Sequence, residues 1–236
     1  MRTRILVTVL AAVFGVAASA QAGLINAGFE TGDLSGWTTF TTADGTLGGA
    51  GVVVVPFDTD GDGVASKSAR FRVGKRPGTP TPPALEGGGM YQSVTLGAGT
   101  LAISADIAAW TPWGNLDGGL FELLFDGGLV DSHDFGPIAL ESIERASLFA
   151  SFDVTAGTHE VRLRMSRPWF EGDMSPLQFV DAVSLSGSAV DDLSPEPIPE
   201  PGSIALVGLG LLGLVRARRR RRSLWHPALA HRPRRG

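Results

Sequence analysis

The sequence contains no cysteine and few histidines. The lack of cysteine excludes disulfide bonds, a thiolate nucleophile and a cysteine-based zinc site. Away from the two ends of the chain, only His133 and His159 are present, and neither stands in an H-E-x-x-H motif. A G-x-S-x-G motif is also missing. The glycine-rich segment 45–51 opens no helix, so it does not resemble a nucleotide-binding loop. These absences predict a non-catalytic protein.

Basic residues are scarce between the ends of the chain. Residues 23–201 contain nine Lys and Arg residues and all 24 Asp and Glu residues, a net charge of −15. Because a surface this acidic repels phosphate backbones, we expect no nucleic-acid partner. Calcium ions and neutral sugars suit such a surface better. A glycosidase-type carboxylate pair is defined by its separation in space, so a glycan-active hydrolase stays open as an alternative.

The N-terminus has the pattern of a secretory signal peptide. Arg2 and Arg4 supply a positive start, residues 5–17 an apolar stretch, and Ala20-Gln21-Ala22 an A-x-A cleavage site. The sequence therefore predicts a signal peptide at residues 1–22 and an exported mature chain.

The C-terminal region combines a short apolar run with a basic cluster. Residues 202–215 are uncharged and mostly apolar, and as a helix they would span about 21 Å. This is short for a membrane helix, which needs about 20 residues, but local thinning of the bilayer would let it insert. The arginines that follow would remain on the cytoplasmic side. We therefore predict a short transmembrane helix at residues 202–215 and a basic cytoplasmic tail at 216–236.

Two Pro-Glu-Pro segments precede this run, at residues 195–197 and 199–201. Proline prevents the helix from extending backwards, so the segment stays extended and accessible to a protease. Residues 189–201 are expected to form a linker. The second Pro-Glu-Pro segment consists of Pro199, Glu200 and Pro201, and the arginine cluster beyond the apolar run includes Arg218, Arg219, Arg220, Arg221 and Arg222.

The order Pro-Glu-Pro, Gly-Ser, apolar span and arginine cluster closely resembles the PEP-CTERM sorting signal of exported bacterial proteins. This resemblance implies recognition by exosortase, a membrane enzyme that cleaves near the motif and passes the protein to the cell surface or extracellular matrix. Members usually end soon after the arginines, whereas residues 223–236 extend this chain. The alternative is a plain single-pass anchor with a basic stop-transfer segment.

The segment between the two ends is rich in short alternating patterns. Val161, Leu163 and Met165 alternate with charged residues, and residues 101–107 carry a second such stripe. Residues 119–135 indicate a hairpin that turns at Asp126-Gly127-Gly128. Further strands are expected at residues 51–56, 65–73, 90–96, 147–155 and 177–186. With abundant glycine and no helical period, this pattern predicts an all-β fold, a jelly-roll-like β-sandwich at residues 23–188.

Several short motifs also resemble carbohydrate-binding-module-like jelly rolls. The residues are Asn26 to Glu30 followed by Gly36-Trp37, then Tyr91 to Val94, then Phe179 to Leu185. The resemblance implies first, middle and last strands at these positions and a carbohydrate ligand.

Asp181 is the anomaly of the last predicted strand. By alternation it shares a face with Leu177, Phe179, Val183 and Leu185, and a charge in an apolar stripe needs a partner. A calcium ion held together with Glu30, at the end of the opening strand, would satisfy it, as the jelly-roll resemblance also implies. An arginine, a backbone N–H group or a water-accessible rim position are the alternatives.

The segment DTDGDG offers a second calcium candidate. Asp58, Asp60 and Asp62 match positions 1, 3 and 5 of an EF-hand loop, but Ala69 stands where the motif needs a glutamate. Two interpretations of this segment therefore stay open, a calcium-binding turn that is not an EF-hand and an ordinary acidic loop between strands.

Loop aromatics complete the candidate residues. Trp110, Trp113 and Trp169 could form platforms on which sugar rings stack. The alternative is that they cap the sandwich core, where Trp37 is also expected. The sequence thus predicts an exported surface or matrix protein sorted by its C-terminal signal, with a calcium-dependent carbohydrate-binding module as the alternative function.

Overall fold

The structure is a computed structural model of the chain, and it describes residues 23–76, 78, 85–113, 116–169 and 174–191. The predicted signal peptide, sorting signal, membrane segment and basic tail lie outside these residues. Within them, no helix combines the length and the hydrophobicity that membrane crossing requires. The elements are β1 Thr38–Thr41, β2 Gly45–Thr46, β3 Val53–Phe57, β4 Ser66–Phe71, β5 Gly74–Lys75, β6 Glu86–Leu96, β7 Gly99–Trp110, β8 Leu116–Asp117, β9 Leu120–Phe125, β10 Gly128–Asp134, β11 Pro137–Ile138, β12 Ile143–Val154, β13 Gly157–Arg167, β14 Leu177–Ser186 and α1 Ser188–Asp191.

Ten of the strands form two five-stranded antiparallel sheets. Sheet I has the order β1-β6-β13-β9-β10, and sheet II has the order β12-β7-β14-β4-β3. The short strands pair separately, β2 with β5 and β8 with β11. From β6 onward the chain passes repeatedly from one large sheet to the other, which is the connectivity of a jelly-roll sandwich. The predicted all-β sandwich is confirmed.

The core lies between the two large sheets. Its residues from β13 are Val161, Leu163 and Met165, all fully buried, while the charged residues between them point outward. The predicted stripe of residues 101–107 in β7 faces them and is buried as well, and Trp37 is 7% exposed. These positions confirm the alternation from which the strands were predicted.

The predicted hairpin is present as β9 and β10. Its turn consists of Asp126 and Gly127, whose φ angles are 49° and 79°. Two consecutive positive φ values are typical of the tight turn that matches the twist of a hairpin. A bulge then shifts the register between Leu129 and Asp131.

Strand β14 departs from the alternation that the sequence predicted. Its register shifts between Asp181 and Ser184, and Ala182 has a φ of 46°. Because the bulge inserts one extra residue, the side chains that follow it point to the opposite face of the sheet from the one that simple alternation predicts. Val183 therefore joins the main core, whereas Leu177 and Phe179 belong to a separate apolar cluster on the outer face of sheet II. The prediction that Asp181 shares a face with Val183 and Leu185 was wrong; it shares the outer face with Leu177 and Phe179.

The opening strand predicted at residues 26–30 is absent, because this segment forms turns. Asn26 and Phe29 have φ angles of 52° and 56°. The side chain of Asn26 accepts a hydrogen bond from the Thr31 N–H group at 3.2 Å and donates one to the Asp33 carbonyl at 2.9 Å. Such local bonds compete with strand pairing. Glu30 therefore lies in a turn, not at the end of a strand.

Strand β6 begins earlier than predicted, because Gly87, Gly88 and Gly89 belong to it. A Cβ atom added at Gly87 would lie 2.2 Å from the Met165 carbonyl oxygen, and one at Gly89 would lie 1.9 Å from that of Leu163. The strand can pass this close to β13 only without side chains.

Candidate functional site

The outer face of sheet I carries a row of polar side chains over this glycine segment. Arg164 lies between Gly89 of β6 and Glu122 of β9. A cavity of about 190 Å³ opens here, which we call the polar groove. Its lining residues are Thr42, Leu85, Leu120, Glu122, Arg164 and Ser166.

An ion pair with two hydrogen bonds occupies the centre of the polar groove. The Nε and NH2 groups of Arg164 donate to the two carboxylate oxygens of Glu122 at 2.5 and 2.6 Å. The hydrogen bonds to Glu122 raise the pKa of the Arg164 guanidinium, while partial burial opposes this rise. The pair fixes a planar, charged surface within the groove.

An aromatic and cationic cluster lies on the same face. The guanidinium carbon of Arg162 is 4.6 Å from the centre of the Phe40 ring and 5.1 Å from that of Tyr91. Its Nε group donates to a Glu160 carboxylate oxygen at 2.8 Å. Rings that hold a polar group in place offer the apolar surface and the hydrogen-bonding groups that carbohydrate ligands use. The sequence signal for this cluster was the alternation of Glu160, Arg162 and Arg164 on one wet face.

The three tryptophans predicted to contact sugar do not form one platform. Trp110 is the last residue of β7 and packs, partly buried, against the apolar cluster of Leu177 and Phe179. Trp113 and Trp169 are 64% and 59% exposed. None of the ring–ring contacts among the described residues involves these three side chains. Their role in ligand binding stays a prediction.

Asp181 is buried under the outer face of sheet II, and hydroxyl groups satisfy it. Ser66 and Ser68 donate to its Oδ2 atom, the latter at 3.2 Å, and the Ala182 N–H group donates to Oδ1 at 2.7 Å. Burial raises the pKa of this carboxyl group, and the three hydrogen bonds oppose the rise. The negative charge of Glu30, the other predicted calcium ligand, also raises the pKa of Asp181.

The second set of predicted calcium ligands comes together in the loop between β3 and β4. One carboxylate oxygen from each of Asp58, Asp60 and Asp62 lies within 4.8 Å of the others. Each of these side chains also accepts a hydrogen bond from a backbone N–H group two or three residues further on, in a series of turns at 2.7 to 3.1 Å. Oxygen ligands at these spacings fit Ca²⁺.

The loop between β3 and β4, residues 58–65, crosses the outer face of sheet II, and we call it the aspartate loop. Arg145 on β12 donates from Nε to the Asp58 carbonyl oxygen at 2.9 Å and from NH2 to its carboxylate at 3.2 Å. Thr59 bonds Ser68 at 2.7 Å, and the Phe57 ring stacks on Phe179 with 3.5 Å between the centroids. These contacts bury Phe179 and Asp181 beneath the loop.

Solved structures with a similar arrangement include carbohydrate-binding modules and an enzyme. TmCBM61 in complex with β-1,4-galactotriose is 16% identical, with 70% of this chain and 98% of that chain covered and a TM-score of 0.42. The CBM22-1 xylan-binding domain from Paenibacillus barcinonensis Xyn10C is 14% identical over 72% and 97%, with a TM-score of 0.39. A cyclase from Fischerella sp. TAU is 17% identical over 70% and 94%, with a TM-score of 0.43. With scores this low, the sandwich assignment depends on the strand order described above.

The C-terminal region matches the model of a known protein-sorting motif. No curated protein matches the sequence of the chain. Residues 197–222, however, match the model of the PEP-CTERM protein-sorting motif. The match spans the second Pro-Glu-Pro segment, the apolar run and the arginine cluster, as the sequence predicted. The chain therefore combines a jelly-roll-like β-sandwich with a C-terminal PEP-CTERM protein-sorting motif.

Proposed function

We propose that the protein is exported and non-catalytic, and that an exosortase-type enzyme processes it for display at the cell surface or in the extracellular matrix. The observation that carries this proposal is the family match at residues 197–222. The A-x-A pattern at residues 20–22 supports export. Membrane insertion of residues 202–215 would hold the Pro-Glu-Pro segment on the outer side until cleavage.

The proposal is tested on the protein in its native host. Pro199, Glu200 and Pro201 are changed to alanine, and the location and intact mass of the product are measured. We expect the native chain at the surface without its C-terminal arginines, and the variant retained in the membrane at full length. The chain supplies a matched control in Pro195 and Glu196, which precede the matched segment; their change to alanine should leave processing intact. An intact C-terminus in all three proteins would refute the sorting proposal.

The chemistry of the carboxyl groups supports a non-catalytic domain. A general acid needs a raised pKa and access to its substrate. Asp181 has the raised pKa, but it is 5% exposed beneath the aspartate loop. Glu122 is held in its ion pair with Arg164. Turnover of any member of a glycan panel, lost when one of these carboxyl groups is changed to its amide, would instead support the hydrolase alternative.

Carbohydrate binding is the second candidate function, and the polar groove with its neighbouring aromatic cluster favours it. Phe40 and Tyr91 present apolar ring surface beside the Arg164 and Glu122 pair. Affinity electrophoresis through gels that contain neutral polysaccharides tests the idea. We expect retardation of the purified chain to be reduced in Tyr91→Ala. Phe149→Ala is the control, because this aromatic is 61% exposed on the other sheet. Equal retardation of both variants would exclude carbohydrate binding at the polar groove and its aromatic cluster.

Calcium is proposed as a structural ion at one or both predicted sites. Thermal unfolding is measured with Ca²⁺, with Mg²⁺ and with a chelator. A site saturated at one hundred times its Kd adds about 2.7 kcal/mol to the free energy of unfolding, so a rise in Tm is expected. Loss of this rise in Asp60→Asn/Asp62→Asn assigns it to the aspartate loop, and loss in Asp181→Asn assigns it to the Glu30 site. An identical Tm with calcium and with chelator would refute both.

A further inference from the structure

Positive charge in the acidic domain is concentrated on one short segment. Residues 67–76, which cover most of β4 and all of β5, contain no acidic residue. They hold five of the nine basic residues found between residues 23 and 201. The five are Lys67, Arg70, Arg72, Lys75 and Arg76. The field near this segment is therefore positive in a domain that otherwise repels anions.

A cavity opens beside this segment. It has a volume of about 220 Å³ and lies between residues 47–51 and residues 70–72. Arg70 stands opposite Val53 and Phe179 in the strand register, which places it on the outer face of sheet II. Among the described residues, none forms a hydrogen bond or an ion pair with the side chain of Arg70, although the domain has a large excess of carboxylates. Arg72 lines the same cavity.

The opposite wall of the cavity is a glycine-rich loop. Gly48 and Gly51 have φ angles of 79° and 65°, which only glycine adopts readily. A Cβ atom at Gly49 or Gly51 would meet nothing within 4 Å, so packing does not require glycine at these two positions. The Gly48 N–H group donates to Thr46 Oγ1 at 3.0 Å and the Gly51 N–H group to the Gly48 carbonyl oxygen at 3.1 Å. Gly49 and Ala50 between them are exposed, and their backbone can approach a ligand closely.

The geometry points to a binding site for an anionic group, namely the carboxylate or the sulfate of an acidic polysaccharide. The guanidinium group of Arg70 forms charge-assisted hydrogen bonds with the anion, and the positive charge of Arg72 in the cavity wall adds to the attraction. The backbone of Gly49 and Ala50 bonds the hydroxyl groups next to the anion. The volume is below the range of about 300 to 1,000 Å³ of pockets for drug-sized ligands, so it suits one substituent and the sugar ring that bears it. This site is separate from the polar groove, and binding there does not depend on processing at the sorting motif.

The acidic surface around the cavity restricts the proposed binding to the cavity itself. A domain with a net charge of −15 repels a polyanion along most of its surface, so association requires the cavity rather than general attraction. We therefore expect short acidic oligosaccharides to bind at least as well as long ones. Affinity should fall as salt concentration rises, because ions screen the arginines.

The experiment measures the binding of the purified full-length chain by titration calorimetry. The probes are an oligogalacturonate, which carries carboxylates, a sulfated dextran oligosaccharide, neutral dextran and polyglutamate. Arg70→Gln and Arg72→Gln remove the charge from the cavity. Lys67→Gln is the matched control, because it removes a charge from the same strand outside the cavity. Thermal unfolding of each variant confirms that it folds.

We expect one of the two acidic glycans to bind and neutral dextran not to bind. The preference between oligogalacturonate and the sulfated probe identifies the anionic group. Arg70→Gln should weaken this binding about tenfold, the loss of one charged hydrogen bond, while Lys67→Gln stays within about twofold. The proposal is overturned if neither glycan binds, or if Lys67→Gln and Arg70→Gln lose the same amount of binding affinity. It is also overturned if polyglutamate binds more tightly than both glycans.

Discussion

At the scale of single residues, the sandwich accommodates charged groups where burial would otherwise be costly. Arg167 is fully buried, and its Nε group donates to the Asp117 carbonyl oxygen at 2.5 Å. Asp181 has two hydroxyls and a backbone N–H group, and Glu122 has Arg164. Every buried polar side-chain atom among the described residues has a hydrogen-bond partner. Removing one member of such a pair is therefore expected to cost more than removing both.

The Arg164 and Glu122 pair tests this expectation. Arg164→Ala leaves the Glu122 carboxylate buried without its cation, and we expect the free energy of unfolding to fall by about 2 kcal/mol. The double variant Arg164→Ala/Glu122→Gln should recover part of this loss, because no charge is then stranded. Denaturant unfolding provides the measurement. A double variant less stable than Arg164→Ala alone would contradict the account.

At the scale of elements, the β9–β10 turn is joined to the end of β12 through His159. Its Nδ1 atom lies 2.7 Å from the Asp126 carboxylate and its Nε2 atom 2.9 Å from the Thr155 carbonyl oxygen. Both partners can accept, so both bonds form together only when the imidazole is protonated. The hydrogen bond to Asp126 raises the pKa of His159 above 6.5, and partial burial opposes the rise. Burial of Asp126 acts to raise its pKa, but the bonds from His159 and Glu160 lower it below 3.8.

This contact predicts a pH-dependent contribution to stability. The share from His159 is complete below pH 6.5, its unfolded-state value, and is lost as pH rises through the higher folded pKa. The share from Asp126 is complete above pH 3.8 and is lost as pH falls through its lower folded pKa. The difference in unfolding free energy between the native chain and His159→Gln should therefore be largest between these values, at about 0.5 to 1 kcal/mol.

Asp126→Asn supplies the control for this prediction. It should remove the same contribution, and combining it with His159→Gln should cost little more than either change alone. Additive losses in the double variant would show that the two side chains act independently.

The turn of the same hairpin gives a prediction with a control one residue away. Gly127 needs a positive φ and its added Cβ would meet nothing, so Gly127→Ala should cost about 1 kcal/mol of backbone strain alone. Gly128 has no positive φ, and its Cβ would lie an ordinary 3.4 Å from the Phe125 carbonyl oxygen. Gly128→Ala should therefore be neutral or stabilise by about 0.5 kcal/mol. Thermal unfolding of both variants tests this prediction. An equal loss of stability in the two variants would contradict the turn geometry.

Local patterns predicted the strands well, and non-local pairing explains most of what they missed. Alternation located β13, β7 and the β9–β10 hairpin. It could not show the bulge at Ala182, which reverses half of β14. The predicted strand began at residue 90, yet the close approach of β13 makes the glycines at 87–89 part of β6. The Arg164 and Glu122 pair also depends on the register between β13 and β9, which no single stretch of sequence contains.

At the scale of the whole molecule, charge is distributed unequally between residues 23–201 and the C-terminal region that follows them. Residues 23–236 contain 18 basic and 24 acidic residues, and nine of the basic ones are arginines from position 216 onward. Cleavage between residues 201 and 216, as proposed above, would therefore change the net charge from −6 to −15.

This change predicts a shift that can be measured without knowing the cleavage site. The processed form should focus at a clearly lower pH than the precursor and should elute later from an anion exchanger. Intact mass identifies the two forms. A single species that keeps the isoelectric point of the precursor in surface fractions would contradict processing.

The glycines of β6 have a consequence for how the polar groove can change. Gly87 and Gly89 pair with Ser166 and Arg164, two residues that line the groove, and a side chain at either glycine would collide with backbone atoms of β13. A mutation at either position would disrupt strand pairing before it could fill the space. Substitutions at Thr42, Glu122, Arg164 or Ser166 can thus change the chemistry of the groove lining, while the neighbouring glycines of β6 must stay glycine. Mutation can alter the side chains on this face but cannot fill the groove from β6.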